Sequence, residues 1–451
     1  MSGDDNLRER LIHLRAEKLA DILVELRGES DKVGDMIKRT TATPSENKKR
    51  FKAKLAGLKR ARRFIDWRGA SDFADELEQM LADLEAGVDD PKTGVEMVAA
   101  FFEADDPIFN RCDDSDGSVG DVFRGTACAL FVHYASRCAD KAWLVDKLME
   151  LYAEDEYGVR DVLLAAAHRF LPQESLRDLA DRLWQRSQME RPDTYESRHW
   201  LLVLESVARQ LKDAALYEKA QRAARPELST SAQIDIAQVY LEAGDPQTAL
   251  TWLERVQGET FRSSDRDDLL LAVYRELGDK DKAAVVAWRI FRSYRSDDTL
   301  KTLLFVIGDS ERERVIADEL PVILSEKELS YSDVEFLIAS GRIDEAETYL
   351  LSHADEFEGD YYTRLLPLAE SMEKNRRWLA ASLIYRALLN SILARAVSKY
   401  YHHGVKYLKK LDSLAGKVSD WKQFENHASY KSELSQIHGR KTSFWARYAG
   451  E

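Results

Sequence analysis

Six positions constrain this chain most: Gln210, Gly244, Gly278, Gly308, Gly341 and Asn375, spaced by 34, 34, 30, 33 and 34 residues. An alanine stands five residues after five of the six, as Ala215, Ala249, Ala283, Ala346 and Ala380. A unit of that length is a helix–turn–helix that cannot bury its apolar face alone and must stack on its neighbours. The two clearest copies are IAQVYLEAGDPQTAL and LLAVYRELGDKDKAA. They match Tyr240 with Tyr274, Gly244 with Gly278, Asp245 with Asp279 and Ala249 with Ala283. Each residue type has a task. Glycine closes a helix in the left-handed conformation without a Cβ penalty. Asparagine is next best there, which suits Asn375. Aspartate after the glycine can cap the next helix. Alanine lets two helix backbones approach.

Weaker copies continue the beat through IASGRIDEAETYLL and EKNRRWLAASLIY, and backwards through VARQLKDAALYEKA. VIGDSERERVIAD keeps Gly308 but has Glu313 where alanine is expected. Residues 195–395 therefore resemble degenerate tetratricopeptide repeats, without that family's regular tryptophan and proline positions. The alternative is a non-repeating helical bundle with chance glycine spacing. Glycine (21) and proline (9) are scarce in 451 residues, and alternating β-branched runs are absent, so the expected fold is all-α. The reading is an α-solenoid with three parts: an N-terminal helical domain (1–190), the repeats (191–395) and a helical cap (396–451). Arg191-Pro192-Asp193 is the candidate first boundary. Trp421, Phe424, Tyr430, Phe444, Trp445 and Tyr448 suit an aromatic cap over the last repeat, which would otherwise expose its apolar face. With Arg440, Lys441 and Arg447 the same tail could instead bind a ligand.

In the N-terminal part, helices are expected at 5–27, 31–39, 45–66, 71–86, 91–104, 119–137, 141–153, 157–170 and 173–189. Gly28-Glu29-Ser30 should stop the first. Thr43 should cap the third, with Pro44 in its first turn. Residues 105–118 read as a loop.

The net charge of −14 is uneven. Residues 48–68 carry ten Lys/Arg and one Asp, a local +9, which leaves −23 on the other 430 residues. In the expected helix 45–66, Phe51, Leu55, Leu58 and Ile65 form an apolar stripe. Lys52, Lys59, Arg60, Arg62, Arg63 and Arg68 decorate the rest, with Phe64 and Trp67 available for stacking. Such a helix could track the phosphates of a nucleic acid. Equally, its cations could pair with the chain's own acids.

The segment Arg111-Cys-Asp-Asp-Ser-Asp-Gly-Ser is a candidate acidic loop site, in which Asp113, Asp114 and Asp116 could ligate a hard cation. It is not an EF-hand, because aligning Gly117 to the invariant glycine puts Cys112 and Phe123 at ligand positions 1 and 12. The competing reading is a turn at Asp116-Gly117 with Ser118 as helix cap. The histidines, including adjacent His402 and His403, lack close metal-ligand spacing. Walker, GxGxxG and GxSxG motifs are also absent. No cofactor, metal or catalytic residue is expected.

LKRARRFIDWRGASDFADELEQML and DPIFNRCDDSDGSVGDVF together resemble a bacterial family known only as a domain of unknown function. The tail from YHHGVKYLKKLDSLAGKVSDW to GRKTSFW is similar to the C-terminal region of bacterial SWIM zinc-finger proteins. The SWIM motif itself, Cys-x-Cys then Cys-x-His, is missing. The resemblance implies a helical-repeat fold, without an activity or catalytic residues.

Three unpaired cysteines, no apolar run long enough to span a bilayer and no apolar leader suggest a cytoplasmic protein without membrane contact. The expected function is a non-enzymatic scaffold or adaptor holding a protein or peptide partner. The second reading is a nucleic-acid-associated protein using residues 48–68. The third is an enzyme with its site at 111–118. Oligomeric state is not legible.

Overall fold

The structure is a computed structural model that describes residues 3–27, 31–155, 157–191, 194–225, 227–256, 258 and 261–450. The expected stop at 28–30 and most of the expected boundary at 191–193 lie outside the described residues. The fold is all-α, as expected. Among the described residues the only β-type pairing is a single bridge between Ile65 and Cys112. Packing divides the chain into two compact units, Met1–Gly258 and Glu259–Glu451.

The first unit begins with short helices. The expected helix 5–27 is broken into Gly3–Ile12 and Ala16–Leu26, because Arg15 takes an extended backbone (φ −63°, ψ 144°). Asp31–Thr41 follows. Pro44–Leu58 then starts at the expected place: the Thr43 hydroxyl accepts from Glu46 N while the Glu46 carboxylate accepts from Thr43 N. Phe51 and Leu55 pack it into a core that also holds Phe73 and Leu77 of helix Ala70–Gly87. Helix Pro91–Phe102, capped by Asp90, lies against helix Cys128–Arg137. The contact requires Gly94, where a Cβ would stand 2.2 Å from the Tyr134 ring. Tyr134 also donates to Val88 O at 2.9 Å.

The expected loop 105–118 contains a short helix, Asp105–Phe109, and the expected helix 157–170 shrinks to Asp161–Ala165 and a tight turn at Ala167–Arg169. One ion pair accounts for the second correction. Arg160 reaches Asp105 through two bonds of 2.8 and 2.7 Å, both residues being buried. Asp155 accepts from Val159 N and Arg160 N. Arg160 is thus an anchor in front of the helix.

From Gln173 the first unit becomes successive hairpins: Gln173–Met189, Tyr195–Gln210, Ala214–Ala224, Thr230–Glu242 and Pro246–Arg255. The second unit continues in kind. It pairs Ser263–Glu276 with Lys280–Ser293, Tyr331–Ala339 with Ile343–Ser352, and Tyr362–Lys374 with Trp378–Arg395. Its end is helix Tyr401–Ala415, then His427–His438 and Thr442–Gly450. Phe444 and Tyr430 are buried there, with Phe444 edge-on to Tyr401 at 5.7 Å. The aromatic tail is packed as a cap.

Five hairpins close with the same backbone geometry. A residue of positive φ stands at Lys212 (55°), Gly244 (84°), Gly278 (73°), Gly341 (74°) and Arg376 (60°). The next N–H returns to the carbonyl five residues back: Asp213 to Ala208, Asp245 to Tyr240, Asp279 to Tyr274, Arg342 to Leu337 and Arg377 to Met372, all at 2.8–2.9 Å. The aspartates at 213, 245 and 279 then cap the following helix, as expected.

The geometry moves two of the turns. Gln210 is the last residue of its helix and the left-handed residue is Lys212; Asn375 gives way to Arg376. Ala215 is accordingly exposed, while Ala249, Ala283, Ala346 and Ala380 are buried. Gly308 differs in kind: at φ 106° and ψ 139° it leads into a short turn at Asp309–Glu311. The left-handed residues are therefore 32, 34, 63 and 35 apart.

An added Cβ meets nothing within 4 Å at Gly244, Gly278 or Gly341, so substitution there isolates backbone strain. Gly278→Ala should lower the melting temperature by about 2–4 °C, for a cost of about 1 kcal/mol. Lys212→Gly and Arg376→Gly should raise it by a similar or smaller amount. Differential scanning calorimetry of the three variants checks the signs.

Candidate functional site

The two stretches singled out by charge come together. The basic helix ends at Leu58 and not at 66; Arg60 Nε donates back to Ala56 O at 2.9 Å. The chain beyond runs extended along the acidic loop. Ile65 N donates to Arg111 O at 2.8 Å, and Asp113 N donates to Ile65 O at 2.9 Å. Ile65 packs on the core from this extended piece and not from a helical stripe.

The cations of the segment divide into two sets. Arg50 and Lys54 turn inward to Asp83, at 3.3 and 3.0 Å, and to Asp35, at 3.7 and 3.1 Å. Asp83 is wholly buried. Burial opposes ionisation of Asp35, but the hydrogen bonds and charges of Lys54 and Lys38 hold its carboxyl below the ordinary value. Lys52, Lys59, Arg62 and Arg63 turn outward and form no ion pair among the described residues. Phe64 is 62% exposed and Trp67 57%, with the Arg68 guanidinium 5.1 Å from the Trp67 ring. An exposed basic–aromatic strip results, at residues 59–68.

The acidic loop spends its carboxylates on its own backbone. Asp114 accepts from Val119 N at 2.8 Å and Gly120 N at 2.9 Å. Asp116 accepts from Ser118 N and Oγ, and Asp113 from Ser115 N and Oγ. Gly117 is left-handed and Ser118 is the first helical residue, so Asp114 and Asp116 take the capping work expected of Ser118. Among the described residues no three His, Cys, Asp or Glu side chains converge as a metal-ligand group. Arg111 stacks on Phe73 at 4.4 Å, and burial pulls its guanidinium below the usual value.

Among the described residues, three concavities are of interest. A groove of about 740 Å³ beside the basic helix is lined by Asp35, Lys54, Leu58, Glu76, Met80 and Arg111. In the second unit a cavity of about 850 Å³ has Arg386 in its wall. A cleft of about 210 Å³ lies at the Gly278 turn, between Tyr274, Arg275, Phe305 and Val306. Sequence reasoning missed Asp83, Arg275, Phe305 and Arg386. A signal existed for Arg386, the lone charge inside the apolar run LIYRALLNSIL.

Residues 5–447 match the model of a family described as DUF6880, a family of unknown function. The chain belongs to this DUF6880 family. Comparison with curated proteins and with solved structures finds no match. The match covers the basic strip, the acidic loop and all three concavities, so each lies within the family's own span.

One acid has a strongly displaced titration. Glu205 is buried in the hairpin of helices Tyr195–Gln210 and Ala214–Ala224, where Gln221 donates to it at 2.9 Å. Burial pushes its carboxyl up to about 7 against the pull of Arg225. An acid with a raised folded-state pKa takes up its proton preferentially in the folded state. The first unit should therefore lose stability as pH rises from about 4.5 to about 7, and no further above that. Glu205→Gln should flatten that part of the profile, raising the melting temperature at pH 8 and leaving pH 4.5 little changed.

Proposed function

We propose that this chain is a non-enzymatic binding scaffold that holds a protein or peptide partner on its helix-hairpin surface. The observation that carries this reading is the cleft at the Gly278 turn. Phe305 is 70% exposed, and the Arg275 guanidinium stands 4.5 Å from its ring. Tyr274 and Val306 line the same concavity. Aromatic and arginine side chains around a small pocket are the usual anchors of protein interfaces, where a few residues carry most of the binding energy. The repeated turns support reading the hairpins as degenerate tetratricopeptide units, and the packed tail supports its likeness to the C-terminal region of SWIM proteins. All three cysteines are free and buried, and no helix among the described residues is long and apolar enough to cross a membrane. Both facts support a cytoplasmic location.

The exposed strip favours a second reading, association with nucleic acid. Lys59, Arg62 and Arg63 are outward-facing, and Phe64 and Trp67 offer stacking faces beside them. Arg50 and Lys54 belong to the protein's own ion pairs and would take no part.

Affinity purification of the tagged chain from its native host, with nuclease treatment and mass spectrometry, separates the two. A nuclease-resistant protein partner should be recovered, and Phe305→Ala should weaken its binding by at least about tenfold. A partner held equally by Phe305→Ala would overturn the cleft as the anchor. For the second reading, single-stranded RNA should shift in a gel at low salt, and Arg62→Glu with Arg63→Glu should abolish the shift. Affinity should also fall steeply with salt. No shift at low salt would remove that reading.

A further inference from the structure

We propose that helix Ala16–Leu26 of the first unit is a self-association surface, which pairs antiparallel with the same helix of a second copy of this chain. Leu19, Ile22, Leu23 and Leu26 recur at the spacing of one helix face. None of the eleven residues of this helix is buried. Leu23 is 45% exposed and Leu26 43%. The apolar surface continues on the flanking helices, where Leu11, Ile12 and Met36 are exposed. Among the described residues, no other stretch of similar length exposes as many large apolar side chains.

Such a helix lacks the usual sources of stability. Isolated helices under about 12–15 residues are marginal in water, and most helical stability comes from packing of an apolar face. The N-cap residue, Arg15, makes no side-chain hydrogen bond to the first turn. A cover over the leucine stripe supplies the missing burial, and the residues beside the stripe say what kind of cover fits.

The stripe has two unlike flanks. Lys18 and Glu25 lie on one, two turns apart. Ala16 and Ala20 lie on the other, where small side chains permit close approach. Lys18 and Glu25 are exposed and form no ion pair among the described residues. In an antiparallel pair related by a two-fold axis, each flank meets the same flank of the other copy. With the axis near Ile22, Lys18 of each copy stands opposite Glu25 of the other, and the two alanine flanks meet. A parallel pair would set Lys18 and Glu25 against alanines and leave both charges unmatched. The face is thus complementary to itself in one orientation. A lipid surface fits less well. Glu17, Asp21 and Glu25 outnumber Lys18 on the polar side, whereas helices that lie on anionic membranes carry Lys and Arg there. This pairing is independent of the cleft at Phe305, and either can fail alone.

The test is sedimentation velocity on the full chain over a range of concentrations, with far-UV circular dichroism as the folding control. The chain should sediment as a concentration-dependent dimer. Leu23→Glu with Leu26→Glu, both at exposed positions, should give a monomer with its fold retained. Lys18→Glu and Glu25→Lys should each weaken dimerisation about tenfold, because each turns two attractive pairs into two repulsive ones. Mixing these two single variants should restore the original affinity, because every charge then faces its opposite. A monomer at every concentration up to about 0.1 mM overturns the proposal, as does a dimer that Leu23→Glu with Leu26→Glu leaves intact. Failure of the mixture to recover overturns the antiparallel pairing. A monomeric chain that binds phosphatidylserine vesicles, or a different protein, through the same leucines gives the face to that partner and equally overturns the proposal.

Discussion

The structure depends on one small backbone device, a left-handed residue that stops a helix and returns the next N–H to the carbonyl five residues back. It satisfies carbonyls that a helix end otherwise leaves open and sets the next helix antiparallel to the first. Five hairpins use it, from Lys212 to Arg376. With the turn set, the position five residues on lies inside the hairpin. Ala249, Ala283 and Ala346 are buried there, and at the two atypical turns Tyr217 and Ala381 take the place. Gly308 lacks the device, and an irregular stretch follows it.

Buried charge forms the second layer of organisation. Asp105 and Arg160 hold the middle of the first unit, and Asp83 collects Arg39, Arg50 and Lys54. In the second unit Glu319 binds Arg292 and Arg295, and Arg295 continues to Asp333. Such pairs add little net stability over an apolar core, but removing one partner leaves an uncompensated charge. They also sort the basic segment. Cations drawn to buried acids are structural, and those left outside on residues 59–68 are free to meet a partner. Arg386 stands out in the same terms, because its neighbours are the rings of Trp421 and Tyr430 and a carbonyl.

Much of the fold was legible where local chemistry decides. Helix Gln173–Met189 matches its expected limits, and Thr43 and Pro44 announce their helix start. Glycine announces the turns at 244, 278 and 341. The turns at 212 and 376 were displaced in reading because Lys and Arg carry no local mark of positive φ. The basic helix was read too long because its apolar spacing continues through Ile65. It ends at Leu58, and Ile65 pairs instead with Arg111 and Asp113, some fifty residues away. The acidic loop and the basic strip were each visible as composition, but their adjacency was not. The clefts at Phe305 and Arg386 were invisible, since each gathers residues from separate helices.

The sequence by itself determined an all-helical chain, the glycine turns at 244, 278 and 341 and most of the helix starts expected in the first 190 residues, because propensity, capping and left-handed glycine act within a few residues. It also determined membership of a family whose span is nearly the whole chain. Only the tertiary structure decided which charges face inward, where the basic helix ends and which side chains meet around a cavity. Those outcomes depend on burial and on contacts between distant segments, where the energy of a charge or a ring is set by its surroundings and not by its neighbours in sequence.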